Sequence, residues 1–338
     1  MADRLLGLIF CITGQSWQEG VRRVPNFWSG RSGVFDFRIE TPAVLAEVRS
    51  AWAGQPVWLD SPQDWERQMR LFSGLLREYQ SEDAPPAAQA ELHGKLAFLL
   101  DFANRYDEAS EHLEQQLSLA QAAGDRAQQA QALNNLGRVA QIRQGPVAAL
   151  DWYTRALAAA GDDPRARAES LQNMAAALFR EGEAERAQAM LHEALALFRA
   201  VGARLGEANT LQAIGDVQQF RKEIDAALDS YQQALALFRA VGDRLGEANT
   251  ILAISDLARS QDNFSEADAG YRTALALYQA IGDRYSQARV YYRMGDSQRQ
   301  QGNREEARRL YGLARETWSG IGLEDLVEQI LAPRLADL

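Results

Sequence analysis

Residues 197–210 of this 338-residue chain return at 237–250 with one change, Ala203 against Asp243, an offset of 40 positions. No other feature constrains the fold as strongly, because a unit of this length buries its apolar face only by stacking on its neighbours. Weaker copies extend both ways. Small residues recur at Ala109, Ala149, Ala187, Ala227, Ala267 and Ala307, spaced 40, 38, 40, 40 and 40 apart. A second small column runs through Ala97, Gly137, Ala175, Gly215, Ser255 and Gly295. A large one runs through Leu113, Tyr153, Leu191, Tyr231, Tyr271 and Tyr311, and a third small one through Ala156, Ala194, Ala234, Ala274 and Ala314.

Within a unit the apolar positions follow steps of three and four, as in Tyr231, Ala234, Leu235 and Phe238, which places them on one face of a helix. Gly242 and Gly282 suit the left-handed residue that ends a helix, and Asp243 and Asp283 can cap the next one through a backbone N–H. Each unit therefore reads as a helical hairpin. The small columns mark where its two helices cross closely, so a large side chain there should cost roughly 1–3 kcal/mol by overpacking.

The motifs at 133–137 and 227–235 resemble the tetratricopeptide repeat, which places Gly or Ala in its first helix and Ala, an aromatic and Ala in its second. The long unit is similar to the subclass found in kinesin light chains and bacterial regulatory proteins. The resemblance covers about residues 86–325 and implies an all-α, right-handed α-solenoid of about six hairpins, at 86–124, 125–161, 162–202, 203–242, 243–282 and 283–322. Residues 323–338 are expected to cap it as a short helix with Leu326, Ile330 and Leu331 turned inward. Gln116 replaces a small residue in the first unit, and Pro146 is expected to disturb the turn of the second.

The period is absent from residues 1–83, which hold Trp17, Trp28, Trp52, Trp58 and Trp65 and read as a separate, mixed α/β module. Strands are expected at 33–40 and 56–59 and a helix at 43–52. A further helix should run over 62–80, where Ser61 can cap, Pro62 suits the first turn, and Asp64 and Glu66 complement the helix dipole. The Pro-containing run 81–86 sets the boundary near residue 83. The apolar run 5–12 is too short for a leader, with Asp3 and Phe10 in the wrong places, and reads as a buried strand.

Composition narrows the function. A net charge of -10 argues against a nucleic-acid ligand, which requires a concentrated basic face. The single cysteine, Cys11, excludes an internal disulfide and sits in an apolar run that disfavours a thiolate. His93, His112 and His192 lack metal-ligand spacing. Neither Gly30–Gly33 nor Gly14 supplies the glycine loop and lysine that cradle phosphates. No catalytic, metal or cofactor site is expected, nor a membrane span, and the setting is expected to be cytoplasmic. Lys95 and Lys222 are the only lysines, which suggests a GC-rich bacterial genome.

The resemblance also implies that the first helices of the hairpins line a concave groove for a protein or peptide. The groove positions it implies are Gln131, Asn134, Arg138 and Gln141, then Glu169, Gln172 and Arg180, then Asn209, Gln212, Asp216 and Phe220. Asn249, Asp256 and Arg259 follow, then Arg289, Tyr292, Asp296 and Arg299. Asp216, Asp256 and Asp296 form a carboxylate ladder that could receive a basic peptide, or be neutralised by Arg259, Arg289 and Arg299. The expected function is a non-enzymatic interaction scaffold; the alternative is the sensor or regulatory part of a bacterial signalling or defence system, with the N-terminal module contacting an effector.

Overall fold

The computed structural model describes residues 62–338 apart from 82, 83 and 104. The strands and helix expected within 1–61, the apolar run, Cys11 and the first four tryptophans lie outside the described residues. The helix expected over 62–80 is α1 (Pro62–Ser81). Six hairpins follow: α2 (Pro86–Phe102) with α3 (Tyr106–Ala123), α4 (Arg126–Gln144) with α5 (Pro146–Ala160), and α6 (Pro164–Arg180) with α7 (Ala184–Ala200). Then come α8 (Arg204–Phe220) with α9 (Ile224–Val241), α10 (Arg244–Ser260) with α11 (Phe264–Ala280), and α12 (Arg284–Gln300) with α13 (Arg304–Ser319). No strand occurs among the described residues. None of the described helices is long and apolar enough to cross a membrane.

Each helix packs on the one before and the one after. The first helices α2, α4, α6, α8, α10 and α12 also touch their counterparts in the next hairpin, whereas the second helices make no comparable contact among the described residues. The spacing between units is thus shorter on the side of the first helices, and the stack curves with those helices on its inner wall.

The small columns set the approach within each hairpin. A Cβ at Gly137, Gly215 or Gly295 would lie 2.5 Å from the ring of Tyr153, Tyr231 or Tyr311, respectively. Where the column holds Ala97 or Ala175, the large residue is the narrower Leu113 or Leu191, so alanine goes with leucine, while tyrosine goes with glycine or, in the fifth unit, with Ser255. Gln116 is buried and fits because Gly94, which has no Cβ, faces it. Pro146 occupies the start of α5, where a helix has no use for the missing N–H, and the turn before it is irregular as expected: Gly145 alone, at φ 97° and ψ 173°, separates α4 from α5, where the later hairpins use three residues.

Side chains of Asp125, Asp163, Asp243 and Asp283 cap α4, α6, α10 and α12 by accepting backbone N–H bonds. Four of the turns inside the hairpins carry a left-handed residue. Gly182 and Gly302 supply it in two of them, but Lys222 and Asp262 adopt the same conformation at φ 63° and 61°. A left-handed L-residue costs roughly 1–2 kcal/mol, and glycine's extra chain entropy offsets part of the relief. Lys222→Gly and Asp262→Gly should each stabilise the fold by about 0.5–1 kcal/mol, read as a rise in the urea midpoint at constant slope; an unchanged or lowered midpoint would refute this.

Both ends of the stack are covered. Phe72, Leu76 and Tyr79 of α1 pack on Leu92, Leu96 and Leu99 of α2. At the other end Trp318, Tyr292 and Ile321 cluster with Leu331. The final segment, expected as one short helix, is a helical turn (Glu324–Leu326), a π-helical stretch (Val327–Leu331) and a last helix (Ala332–Ala336). Leu331 is fully buried, and Leu326 and Ile330 pack partly buried against the same cluster.

The first hairpin carries a histidine pair, buried His93 and half-buried His112, with their Nδ1 atoms 2.9 Å apart. Burial, and then His112 beside it, push the His93 imidazole down from 6.5 to about 4. Glu108 and Glu111 face the outer ring, His112. The folded chain keeps His93 neutral at pH values where the unfolded chain protonates it. This stability is complete above about pH 6.5 and is lost as pH falls toward 4. Moving from pH 7.5 to 5 should destabilise the chain by on the order of 2 kcal/mol through this residue. His93→Gln should flatten that part of the stability–pH curve; a variant curve parallel to wild type would contradict it.

Candidate functional site

The inner wall is built from the exposed stripe of each first helix, and the implied groove residues all lie on α4, α6, α8, α10 and α12. They do not all remain reachable. On α4, Gln131 is exposed, but Asn134 is buried and donates to Ser170 Oγ at 3.0 Å. Arg138 pairs across units with Asp101 at 2.6 Å, and Gln141 accepts from the Tyr153 hydroxyl at 3.0 Å. On α6, Glu169 pairs with Arg165 at 3.2 Å, Gln172 is half-buried and Arg180 is exposed. Burial raises the Glu169 carboxyl above its usual range, against the opposing pull of Arg165.

On α8, Asn209 and Gln212 are half-buried, and Gln212 accepts from Thr250 Oγ1 at 3.3 Å. Phe220 stands 62% exposed, edge-on to Phe179 with ring centres 5.4 Å apart. On α10, Asn249 accepts from the Tyr278 hydroxyl at 2.7 Å, while Arg259 donates to the Tyr271 hydroxyl and to Gln300. On α12, Arg289 lies over the Tyr285 ring and Arg299 pairs with Asp337 at 3.6 Å. Tyr292 and Asp296, placed by resemblance in the groove, are 8% and 6% exposed, because Trp318 and the C-terminal segment cover them.

The carboxylate ladder is a repeated device. Asp216, Asp256 and Asp296 each accept, through Oδ1, the hydroxyl of the tyrosine 15 residues later, at 2.8, 2.7 and 2.7 Å from Tyr231, Tyr271 and Tyr311. Burial, then the neighbouring carboxylate, push these three phenols above their ordinary value, so they stay protonated donors. The constant offset was visible in the sequence, where the tyrosines read only as packing residues.

Neutralisation of the ladder differs from the expectation. Arg293 approaches Asp256 at 3.4 Å and Arg259 at 3.9 Å, while Arg334 from the final helix grips Asp296 through Nε at 2.8 Å and Nη2 at 3.2 Å. Arg299 turns to Asp337 instead, and Arg289 acts on Asp216 only at longer range. Arg259 thus meets the expectation at Asp256, while Arg293 and Arg334 supply the closer pairs that sequence reading did not assign. The Asp216 side chain is exposed, but the protein around it still displaces part of its water. That desolvation pushes its carboxyl up to about 6, opposed by Tyr231 and Arg289, and water at its open edge offsets part of the effect. No group of three or more His, Cys, Asp or Glu side chains placed to hold a metal ion occurs among the described residues.

No curated protein sequence matches this chain. Among solved structures, the apo form of RapI aligns with TM-score 0.61 at 14% identity, covering 76% of this chain and 93% of that one. A Rap protein complexed with competence and sporulation factor aligns with TM-score 0.56 at 14% identity, covering 81% and 83%. A STAND protein with a tetratricopeptide repeat sensor, PH0952 from Pyrococcus horikoshii, aligns with TM-score 0.59 at 14% identity, covering 77% of this chain and 41% of that one. At these identities the likeness is one of fold. The sequence model described as tetratricopeptide repeat matches residues 88–162, 165–240 and 242–318, most of the chain and all six hairpins. The chain belongs to the tetratricopeptide repeat family.

Proposed function

We propose that the protein is a non-enzymatic interaction module that holds an extended peptide or partner segment along its inner wall. The observation that carries this reading is the open stretch on α4, α6 and α8. There Gln131, Arg180, Asp216 and Phe220 are exposed beside half-buried Gln172 and Phe179, while on α12 Tyr292 and Asp296, the equivalents of Gln172 and Asp216, are covered. A single exposed apolar side chain is ordinary, but an edge-to-face pair of rings on a wall with exposed polar side chains offers both the apolar anchor and the polar contacts that a peptide needs. The partner is expected to be basic where it meets the ladder. Glu169, Asn209, Gln212, Asn249, Asp256, Arg259, Arg289 and Arg299 would flank it.

The test compares partner capture by the intact chain, by an inner-wall variant, Phe220→Glu, and by an outer variant, His192→Glu on α7. Capture should survive the outer change and fall at least about tenfold with the inner one, as loss of a central anchor implies. Equal capture by all three would remove the inner wall from the account.

A second reading makes the stack the sensor of a signalling system. It draws support from two fold neighbours, one crystallised with competence and sporulation factor and the other called a tetratricopeptide repeat sensor. Removing residues 1–61, and keeping α1 because it covers Leu92, Leu96 and Leu99, separates the two. A scaffold keeps both partner and output, whereas a sensor keeps the partner and loses the output.

A further inference from the structure

The ladder contains its own demonstration of what it binds. Asp296 receives Arg334 in a fork, Nε to Oδ1 and Nη2 to Oδ2, while Oδ1 also accepts the Tyr311 hydroxyl. Asp256 receives Arg293 from the next unit at 3.4 Å, with its Oδ1 on Tyr271. Asp216 has the same tyrosine bond, from Tyr231 at 2.8 Å, but the residue one repeat before Arg293 is Ala253. Among the described residues no guanidinium lies within ion-pair distance of Asp216, and its side chain is the exposed member of the three.

The surroundings suit an incoming arginine. Gln212 and Gln219, one turn to either side of Asp216 on α8, offer side-chain carbonyls; Gln219 already accepts from Tyr231 at 2.9 Å, and Gln212 takes only the 3.3 Å bond from Thr250. Phe220, one turn beyond Asp216, is open for an apolar neighbour. A planar guanidinium presents paired N–H groups that match the two carboxylate oxygens, whereas an ammonium is a single point of charge. Arg289 acts on Asp216 only at longer range and so does not fill the fork.

We propose that Asp216 is an arginine socket, in which an arginine of the bound peptide takes the place that Arg293 and Arg334 take at the other two carboxylates, with an apolar peptide residue on Phe220. This rests on the inner-wall reading and names the chemistry of the ligand. Arginine is required over lysine, because the fork and not charge alone sets the fit.

A random dodecapeptide phage library selected on the full chain tests it. Peptides recovered on wild type should be enriched in arginine. Asp216→Asn keeps an acceptor for Tyr231 but loses the charge, and Ala253→Arg fills the socket as Arg293 does in the next unit. Each should weaken those peptides about tenfold to a hundredfold. Replacing the peptide arginine by lysine should weaken them on wild type. Both variants are first checked for a wild-type unfolding midpoint, and if Ala253→Arg fails that check, Asp216→Asn decides. Arginine-free peptides that Phe220→Glu abolishes would overturn the socket and leave the inner-wall reading standing, as would arginine peptides indifferent to both socket variants. Recovery of no peptide at all would overturn both.

Discussion

Gly215→Val should destabilise the chain by about 3 kcal/mol, at the upper end of what overpacking costs. Even a Cβ there falls 2.5 Å from Tyr231, and the obstructing atoms are ring carbons of a fully buried side chain whose hydroxyl is held by Asp216 and Gln219. Neither helix can yield alone, since α8 also meets α10 and α9 also meets α10. The chain itself supplies the control. Two of its hairpins use Ala with Leu at these positions, Ala97 with Leu113 and Ala175 with Leu191. Gly215→Ala combined with Tyr231→Leu should therefore cost less than the two single changes summed, by about 1 kcal/mol or more. Additive changes would mean that the helix crossing is not set by this pair of columns.

Trp318→Ala should cost about 3–5 kcal/mol, the range for emptying a large aromatic from a packed interior. Trp318 is fully buried and lies 5.6 Å from the Tyr292 ring and 6.3 Å from the Tyr285 ring, centre to centre, with Leu331 and Ile321 in the same cluster. With the Arg334–Asp296 pair, it joins the final segment to α12. In a stack where each unit touches only its neighbours, the damage should be local first. The final helix and the Arg334–Asp296 pair should release before the earlier hairpins. Limited proteolysis should then cut beyond residue 300 while the product carrying α1 to α11 persists. Simultaneous cleavage throughout the chain would show that the end of the stack is not a separable layer.

The architecture was legible because it is written periodically. Six alanines at nearly constant spacing, and the alternation of glycine with tyrosine and alanine with leucine, report the geometry of one helix crossing repeated along the chain. Pro146 marked an irregular turn in the sequence, but that it also begins α5 after a single linking residue is decided by the backbone. The candidate site was legible one helix at a time. That Gln212, Asp216 and Phe220 share one face of α8 follows from helical spacing, whereas the choice of that face as the groove came from the family resemblance. What lies opposite each carboxylate does not. Arg293 and Arg334 reach acids 37 and 38 residues earlier, and Arg334 does so from a segment outside the repeat, so no unit-by-unit comparison could pair them. Covering of Tyr292 by Trp318 and the C-terminal segment likewise depends on how the last unit ends.

The inner wall as the place where a partner is held is tested most directly by photo-crosslinking with benzoylphenylalanine at two positions in otherwise intact chains. One replaces Phe220 on α8, and the other replaces His192, exposed on the second helix α7. The account predicts a discrete crosslinked partner from position 220 and none from 192. A partner captured from 192 and absent from 220 would contradict it.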